Sequence, residues 1–504
     1  MYSMSVSRNV FIVSLTLLLL FIRIEAVLPE EMIDKTDKLE EMIDKTDMPE
    51  EISISIDKIS DNFSYSLKFV GYDAFIEPSE STLNPHNDFL QIPGNYATGE
   101  LRADFSLDFE KFFMGIKPRA NLVWQRWEEG KLENQEKTAD DFFIYEWLIR
   151  GYLTDNFIVS YGRQNLQWGP AYLMSPSNPF FRNNGQSNPK TEVPGSDFAR
   201  ALWVINSSCS VSAMVNTAEG GNSLSYGIDA ANNLQSNIPE APETDRRYNI
   251  DYRSIRNELI DRLGLDNEFY PSSALKIDFT GFKKYFSLIG SYKEKERLIV
   301  GAFGGMTLSD AMLFYAEGSF SLGTDVLYPV PYKASPFGSV MMKSLDDSSE
   351  VEDLILIGTT YTLETGQTFV LEGVYNSAGY NHEEAERYFY LRKRAYDLYD
   401  RPYYLGDLSK LVLYQSLNTK LRLLRKHYIM AQFYQTQIYD VLNLVFRYTY
   451  NIDDNSSQFV PIFEYDIFSN SQLFLIGQYS FGAKDTEYRS LVDNSLMAGF
   501  EITF

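Results

Sequence analysis

The sequence has little cysteine, little histidine and few basic residues, and after its first 26 residues it has no long apolar run. The single thiol, Cys209, can neither form an intramolecular disulfide nor hold a metal ion alone. Without a stretch of about 20 apolar residues, no membrane-spanning helix is expected after residue 26. The 45 Lys and Arg against 69 Asp and Glu give a formal net charge of −24, which argues against nucleic acid as a partner.

The three histidines form no recognisable catalytic pattern. His86 lies in a polar turn, His382 in an acidic loop and His427 at the start of a predicted strand, and none has a nucleophile at a known spacing. The sequence also contains no phosphate-binding loop, metal cluster or haem motif. We therefore expect no enzyme activity, no cofactor and no metal. A hydrolase would need His382 or His427 within hydrogen-bond reach of a Ser or Asn at a barrel rim.

Aromatic residues are plentiful, at 15% of the chain, and they lie in segments that alternate apolar and polar residues. The last predicted strand has one apolar face, formed by Leu496, Ala498, Phe500, Ile502 and Phe504. Segments 99–109, 143–153, 442–450, 459–467 and 473–481 repeat this alternation, with Phe143 and Tyr145 expected to face outward in the second. Alternation over segments of about ten residues, with aromatic residues at both membrane interfaces, is typical of transmembrane β-barrels. An edge strand of a soluble β-sandwich is the alternative for the last segment.

This pattern predicts an all-β protein, a transmembrane antiparallel β-barrel over residues 57–504 with long extracellular loops. We expect about 18 strands, with 16 as the near alternative, because bacterial single-chain barrels use even numbers. Two long loops are predicted, over 220–273 and 376–407. The second loop is rich in tyrosine, and two interpretations remain open for it. Its rings stack on carbohydrate, or the loop is an amphipathic helix packed on its neighbours.

The N-terminus predicts two short segments before the barrel. Residues 1–26, with Arg8 and an apolar run over 10–22, are expected to be a secretory signal peptide. Residues 27–56 contain an acidic duplication, in which segment 30–37 recurs as 40–47, and are expected to be a periplasmic extension, helical or disordered. This extension is too short for a folded plug domain, which disfavours an energy-coupled receptor.

The densest motif is Tyr161-Gly-Arg-Gln-Asn-Leu-Gln-Trp-Gly-Pro170, followed by Ser-Pro-Ser-Asn-Pro-Phe-Phe over 175–181. It resembles a strand-to-loop segment of porin-like outer-membrane barrels, including capsule-assembly and polysaccharide-export barrels. Arg163, Gln164 and Trp168 are expected either to touch solute at the pore mouth or to clamp the following loop to the barrel wall.

The C-terminal strand, with Phe500, Ile502 and Phe504, resembles the signal that barrel-assembly machinery recognises. The resemblance implies a bacterial outer-membrane protein. Its partners would be outer-membrane lipid and lipopolysaccharide, the assembly machinery, and a polar solute or polysaccharide.

The inward faces of the predicted strands carry charges of both signs, which would create a transverse field across a pore. The expected pore-lining residues are Glu100, Arg102, Asp104, Arg119, Glu146, Arg150, Arg200, Glu317, Glu372, Arg447 and Glu464. We expect a porin-like channel for passive passage of a polar solute or polymer. The alternative function is a plugged barrel whose external loops bind surface polysaccharide in a lectin-like attachment role.

Overall fold

The computed structural model describes residues 61–181, 188–218, 220, 269–293, 297–333, 335–343, 351–401 and 404–504. The predicted signal peptide, the acidic extension up to residue 56 and most of the predicted loop 220–273 lie outside these residues. Tyr65–Phe105 and Glu110–Phe504 form one compact unit, which contains the barrel wall and its long connections. Residues 61–64 and Ser106–Phe109 belong to a second, small unit.

Antiparallel strands dominate the described chain, and eighteen of them form one sheet. The first nine are β1 Phe63–Pro78, β2 Asn95–Phe109, β3 Phe112–Arg126, β4 Glu136–Thr154, β5 Phe157–Gln164, β6 Ser196–Asn206, β7 Cys209–Ala218, β8 Ser272–Thr280 and β9 Lys284–Lys293. The others in this sheet are β10 Arg297–Ser309, β11 Met312–Leu322, β14 Val351–Thr362, β15 Thr368–Asn376, β16 His427–Ile438, β17 Leu442–Asn451, β18 Ser456–Phe468, β19 Ser471–Phe481 and β20 Val492–Thr503. A separate hairpin pairs β12 Leu327–Pro331 with β13 Ser339–Lys343. Two helices, α1 His382–Leu398 and α2 Tyr404–Leu417, precede β16.

The first strand pairs with the last, which closes the sheet into a barrel. β1 and β20 are antiparallel from Lys68 opposite Thr503 to Pro78 opposite Val492. Beyond the last pair, the backbone N–H of Phe504 donates to the carbonyl of Leu67 at 2.8 Å. Closure leaves no free edge in the described eighteen-stranded sheet. The predicted all-β barrel and its 18 strands are confirmed.

The two faces of the sheet follow the alternation that the sequence predicts. In β20, Leu496 on the outer face is 44% exposed, whereas Met497 on the inner face is 6% exposed. Across β16, β17 and β18, the rings of Phe433, Phe446 and Phe459 stack on the outer face with centroids 6.0 and 6.2 Å apart. Such cross-strand pairs fix the strand register while the outer surface stays apolar.

A bulge at Tyr145 in β4 changes the expected orientation of the β4 residues before it. The register between the two strands shifts at Lys117 and Pro118, because proline cannot donate to the ladder. As a result Arg119, which faces inward, lies directly opposite Phe143. The expectation that Phe143 and Tyr145 face outward is wrong. The guanidinium of Arg119 lies 5.1 Å from the centroid of the Tyr145 ring.

The two ends of the barrel differ in the length of their connections. One end, which we call the turn end, joins strands through short turns such as 155–156, 207–208 and 469–470. The other, the loop end, carries connections over 79–94, 165–195, 323–350, 377–426 and 482–491. Every connection between consecutive barrel strands alternates between these ends, as an antiparallel barrel requires.

At the loop end, β12, β13, α1 and α2 form a small packed body that we call the cap. Asn381 begins α1 with a capping box, in which its side chain accepts from the Glu384 N–H and the Glu384 carboxylate accepts from the Asn381 N–H. The buried face of α1 includes Tyr388, Leu391 and Ala395, which pack with Phe89, Met341, Tyr380 and Leu413. The tyrosine-rich loop is therefore a packed helix, the second of its two interpretations. No described helix is long and apolar enough to cross a membrane.

The close contacts around Gly499 indicate that an added methyl group on the closing strand would lower the stability of the barrel. A Cβ at this position would meet the Phe474 ring and the carbonyl oxygen of Gly71, and a backbone atom cannot move aside cheaply. We expect Gly499→Ala to destabilise the barrel by about 1–3 kcal/mol, the usual cost of overpacking. Urea unfolding in lipid vesicles, followed by tryptophan fluorescence, measures this.

The matched control is Gly373→Ala in β15, where an added Cβ meets nothing within 4 Å. Equal unfolding midpoints for the two variants would contradict the proposed close packing at the seam.

Candidate functional site: the inward-folded loop and the lumen wall

The connection between β5 and β6 folds into the barrel, and we call residues 165–195 the constriction loop. Its described parts, 165–181 and 188–195, contact inward-facing side chains of strands far apart in the sheet order. One set of contacts lies on β11 and β15, and the other on β2, β3 and β18. The two described parts are therefore held by strands on two sides of the lumen.

Glu372 of β15 anchors the loop through two backbone amides. The N–H groups of Tyr172 and Leu173 donate to its two carboxylate oxygens at 2.7 and 2.8 Å. The hydroxyl of Tyr315 on β11 donates to the same carboxylate at 2.7 Å. Glu372 is only 1% exposed, so its carboxylate has lost its hydration. The three donors replace the hydrogen bonds that water would otherwise give it.

Glu317 of β11 provides a second anchor a few residues along the loop. Its Oε1 accepts from the Ser177 N–H at 3.0 Å, from the Ser177 hydroxyl at 2.7 Å and from the Ser175 hydroxyl. Among the described residues, its Oε2 has no hydrogen-bond partner. Gly169 lies against this carboxylate so closely that any Cβ there would collide with it. The Trp-Gly-Pro part of the motif thus needs glycine for backbone approach.

On the opposite wall, Arg119 and Arg102 hold the returning part of the loop. Arg119, 2% exposed, forms a two-pronged ion pair with Glu192 and donates to Asp104 at 2.9 Å. Arg102 donates to the carbonyl of Lys190 and to Glu100, each at 2.5 Å. Bidentate contacts of this kind give arginine both charge and orientation.

Lys190 continues this second anchor toward β18 and β19. Its ammonium lies 2.7 Å from Glu464 and 2.6 Å from the side-chain oxygen of Gln472. At the start of the loop, the Asn165 N–H donates to Glu146 at 3.1 Å, while Lys117 pairs with the other oxygen of Glu146. Charged wall residues therefore hold both ends of the loop.

The structure brings most of the expected pore-lining residues together as loop supports. These supports are Glu100, Arg102, Asp104, Arg119, Glu146, Glu317, Glu372 and Glu464. The expected pore residues Arg150, Arg200 and Arg447 remain outside this set. Arg447 donates to Gln432 at 2.7 Å on the neighbouring strand.

Arg150 on β4 and Arg200 on β6 lie on either side of β5. Ser160 stands directly opposite Arg150 on one side and opposite Arg200 on the other. Arg150 reaches the Tyr152 hydroxyl at 3.4 Å, and Arg200 reaches the Ser212 hydroxyl at 3.3 Å. Neither arginine has a carboxylate partner in the described part of the chain. On β8, by contrast, Lys276 is paired with Asp278.

The three motif residues occupy different places. Arg163 stays on the outer face at the loop end, where it pairs with Asp197 at 3.0 Å and donates to the Ile144 carbonyl at 3.0 Å. It therefore links β5 to both neighbouring strands. Gln164 ends β5 opposite Ser196. Trp168 packs edge-on against Phe180 at 6.2 Å within the constriction loop.

The histidines lie at the loop end with polar partners of their own. His86 is 3.1 Å from the Tyr396 hydroxyl, His382 is 3.2 Å from Glu386, and His427 is 3.1 Å from Asp453. Within the described ranges, no three His, Cys, Asp or Glu side chains are arranged to hold a metal ion.

Sequence reasoning missed the loop's own anchoring residues. Lys190 and Glu192 carry the second anchor, and Ser175, Ser177 and Tyr315 complete the first. The only available signal was the serine and proline content of segment 175–181, which indicated a structured loop without indicating its contacts. A loop residue's partner across a lumen cannot be inferred from alternation.

No protein-family model matches this sequence, and no curated protein matches it. Among solved structures, the chain is similar to the outer membrane protein OprD from Pseudomonas aeruginosa, with 8% identity and a TM-score of 0.44 over 87% of this chain and 94% of that one. It is also similar to Acinetobacter baumannii OccAB1, with 12% identity and a TM-score of 0.47 over 88% and 96% of the two chains. The barrel fold itself is shown by the strand pairing described above.

The anchor at Glu372 makes a prediction about backbone protection. In Glu372→Ala, the amides of Tyr172 and Leu173 lose their acceptor, and a hydrogen bond to a charged group is worth about 1.5–3 kcal/mol. We expect these two amides to exchange with deuterium about 10- to 100-fold faster, as measured by exchange mass spectrometry.

Glu364→Ala, an exposed turn-end substitution, is the control and should leave the exchange unchanged. Full protection of segment 172–173 in the Glu372 variant would show that the loop is held by other contacts.

Proposed function

We propose that this protein is a porin-like channel in the outer membrane of a Gram-negative bacterium and lets a small polar solute pass without energy input. The observation that carries the proposal is the constriction loop, pinned across the lumen by buried charges on opposite walls. A loop held so firmly inside a barrel narrows the lumen at a fixed place, which is how a passive channel selects solutes.

The outer face supports the proposed membrane location. Large apolar side chains such as Phe320, Phe369 and Leu371 are about half exposed, which is unfavourable in water and suits lipid. Phe500, Ile502 and Phe504 share the outer face of the closing strand, and we propose them as the signal for barrel-assembly machinery. Outer-membrane lipid and lipopolysaccharide would then surround this face.

We further propose that the solute carries negative charge. Arg150 and Arg200 have no carboxylate partner among the described residues, whereas Glu372 and one oxygen of Glu317 accept hydrogen bonds from the constriction loop. Two unneutralised guanidinium groups on a narrow, low-dielectric wall raise the local concentration of anions. The solute path would follow the wall formed by β4, β5 and β6.

The alternative is a plugged barrel whose external loops bind surface polysaccharide, which would extend the resemblance to capsule-assembly barrels. Sugar binding uses exposed aromatic rings, but Tyr380 and Tyr388 of the tyrosine-rich segment are buried in the cap. Tyr390 is 57% exposed, so this ring is accessible to sugar. We favour the channel because the other two rings are buried, and one experiment separates the two functions.

The deciding experiment is conductance of the refolded protein in a planar bilayer, with a salt gradient to read ion preference. Stable openings whose reversal potential shows a preference for anions support both the channel function and the proposed negative charge of the solute. Openings with cation preference would overturn the proposed solute charge only. A correctly inserted barrel that never conducts would overturn the channel and favour polysaccharide binding.

Charge reversal tests the two arginines directly. In Arg150→Glu/Arg200→Glu, the wall changes from positive to negative, so we expect the anion-to-cation permeability ratio to fall by about threefold or more. The matched control is Lys393→Glu/Arg394→Glu on the cap helix α1, which makes the same change in net charge away from the lumen wall. An equal shift in both variants would mean that general surface charge, rather than the two arginines, sets selectivity.

A further inference from the structure

The segment between α2 and β16, residues 418–426, lies between the cap and the constriction loop, and we call it the strap. Arg422 of the strap donates to the carbonyls of Ser175 and Asn178 at 2.8 and 2.9 Å. Its guanidinium also lies 5.7 Å from the centroid of the Phe181 ring. These contacts hold segment 172–181 of the loop, which Glu317 and Glu372 also contact from the barrel wall.

The strap is also fixed to the cap and to the barrel strands. The Leu327 N–H of β12 donates to the Thr419 carbonyl at 3.0 Å, and the Tyr380 N–H donates to the Leu424 carbonyl at 2.9 Å. The side chain of Asn376, at the end of β15, donates to the Leu423 carbonyl at 2.9 Å. The residues on both sides of Arg422 are therefore held by the cap and by β15.

One end of the strap rests on a buried carboxylate from the connection between β19 and β20. Glu487 accepts from the Leu424 N–H at 3.0 Å, from the Tyr428 hydroxyl at 2.5 Å and from the Asn451 side chain at 2.7 Å. Its own N–H donates to Asp454 at 3.0 Å. Glu487 thus joins the strap to β16 and β17.

The groups around Glu487 do not neutralise its charge. Asp454 from the connection between β17 and β18 repels the carboxylate, and the tyrosines that face it, Tyr428 and Tyr488, carry no positive charge. From the cap, Tyr388 and the buried Arg392 face the same region, but Arg392 lies 3.5 Å from Asp485 and shares its charge there. Burial raises the pKa of Glu487 to about 7.

We propose that the strap positions the constriction loop through Arg422, and that the charge on Glu487 decides how firmly the strap is held. This inference rests on the proposed channel function and adds a control of its steadiness by pH. The firm state holds the loop in one position, and the loosened state lets it fluctuate. Arg422 is a positioning residue, which acts on solute only through the loop.

The direction of the pH effect follows from the raised pKa. A carboxyl group whose folded pKa lies above its unfolded value favours the folded arrangement most at acid pH, and that contribution is lost as pH rises through about 7. The strap should therefore be firm at pH 5.5 and loosened at pH 8.5. A single proton changes the loosened fraction by at most about tenfold per pH unit.

The test is open-channel current noise of single refolded channels, recorded in a planar bilayer between pH 5.5 and 8.5. For the unchanged chain we expect noise to rise with a midpoint near neutral pH. Glu487→Gln, which stays uncharged, should be quiet throughout. Arg422→Gln should be noisy at every pH, and Arg422→Lys should restore part of the quiet state because its ammonium keeps the positive charge and can donate to a loop carbonyl.

The matched control is Lys420→Gln, an exposed strap residue, which should keep the pH profile of the unchanged chain. Conducting channels with the same noise at all pH values would overturn this inference and leave the channel function standing. A pH step retained in Glu487→Gln would also overturn it. If Glu487→Gln does not fold, the profiles of the unchanged chain and of Arg422→Gln decide alone. Absence of any conductance would instead overturn the proposed channel.

Discussion

Closure of β1 on β20 is the constraint on which the other features depend, because it satisfies the last free backbone edge without help from water. Once the sheet is closed, alternate side chains must point into a confined lumen and the rest to the outside. Short turns collect at one end and long connections at the other. The cap, the strap and the constriction loop are all parts of those long connections, so their positions follow from where the barrel strands place their ends.

A closed lumen creates the second constraint, since charged groups that point inward lose part of their hydration. Glu317 and Glu372 recover the lost interactions by accepting hydrogen bonds from amides and hydroxyls, and Arg119 does so by pairing with Glu192. Each pairing fixes a loop residue on a wall. The same charges that could have lined an open pore thus hold the constriction loop.

The fold could be predicted to a large extent from the sequence because a barrel repeats one local rule. The alternation in 496–504 predicted both the outer face of β20 and the strand type, and the spacing of such segments predicted 18 strands. The rule failed where proline interrupted the ladder. Opposite Pro118 the register shifts at Tyr145 of β4, so Phe143 faces inward, and a count of alternation along β4 alone does not show this bulge.

The sequence by itself determined which side chains face the lumen along most strands, since the period of two is a property of each strand alone. Only the tertiary structure decided which of them meet the constriction loop. Lys190 and Glu464 lie far apart in the chain, yet their charges are 2.7 Å from each other. Likewise, the partners of Glu487 come from three separate elements, the strap, β16 and β17. Such contacts depend on where closed strands bring distant loops together, which no pattern within one segment encodes.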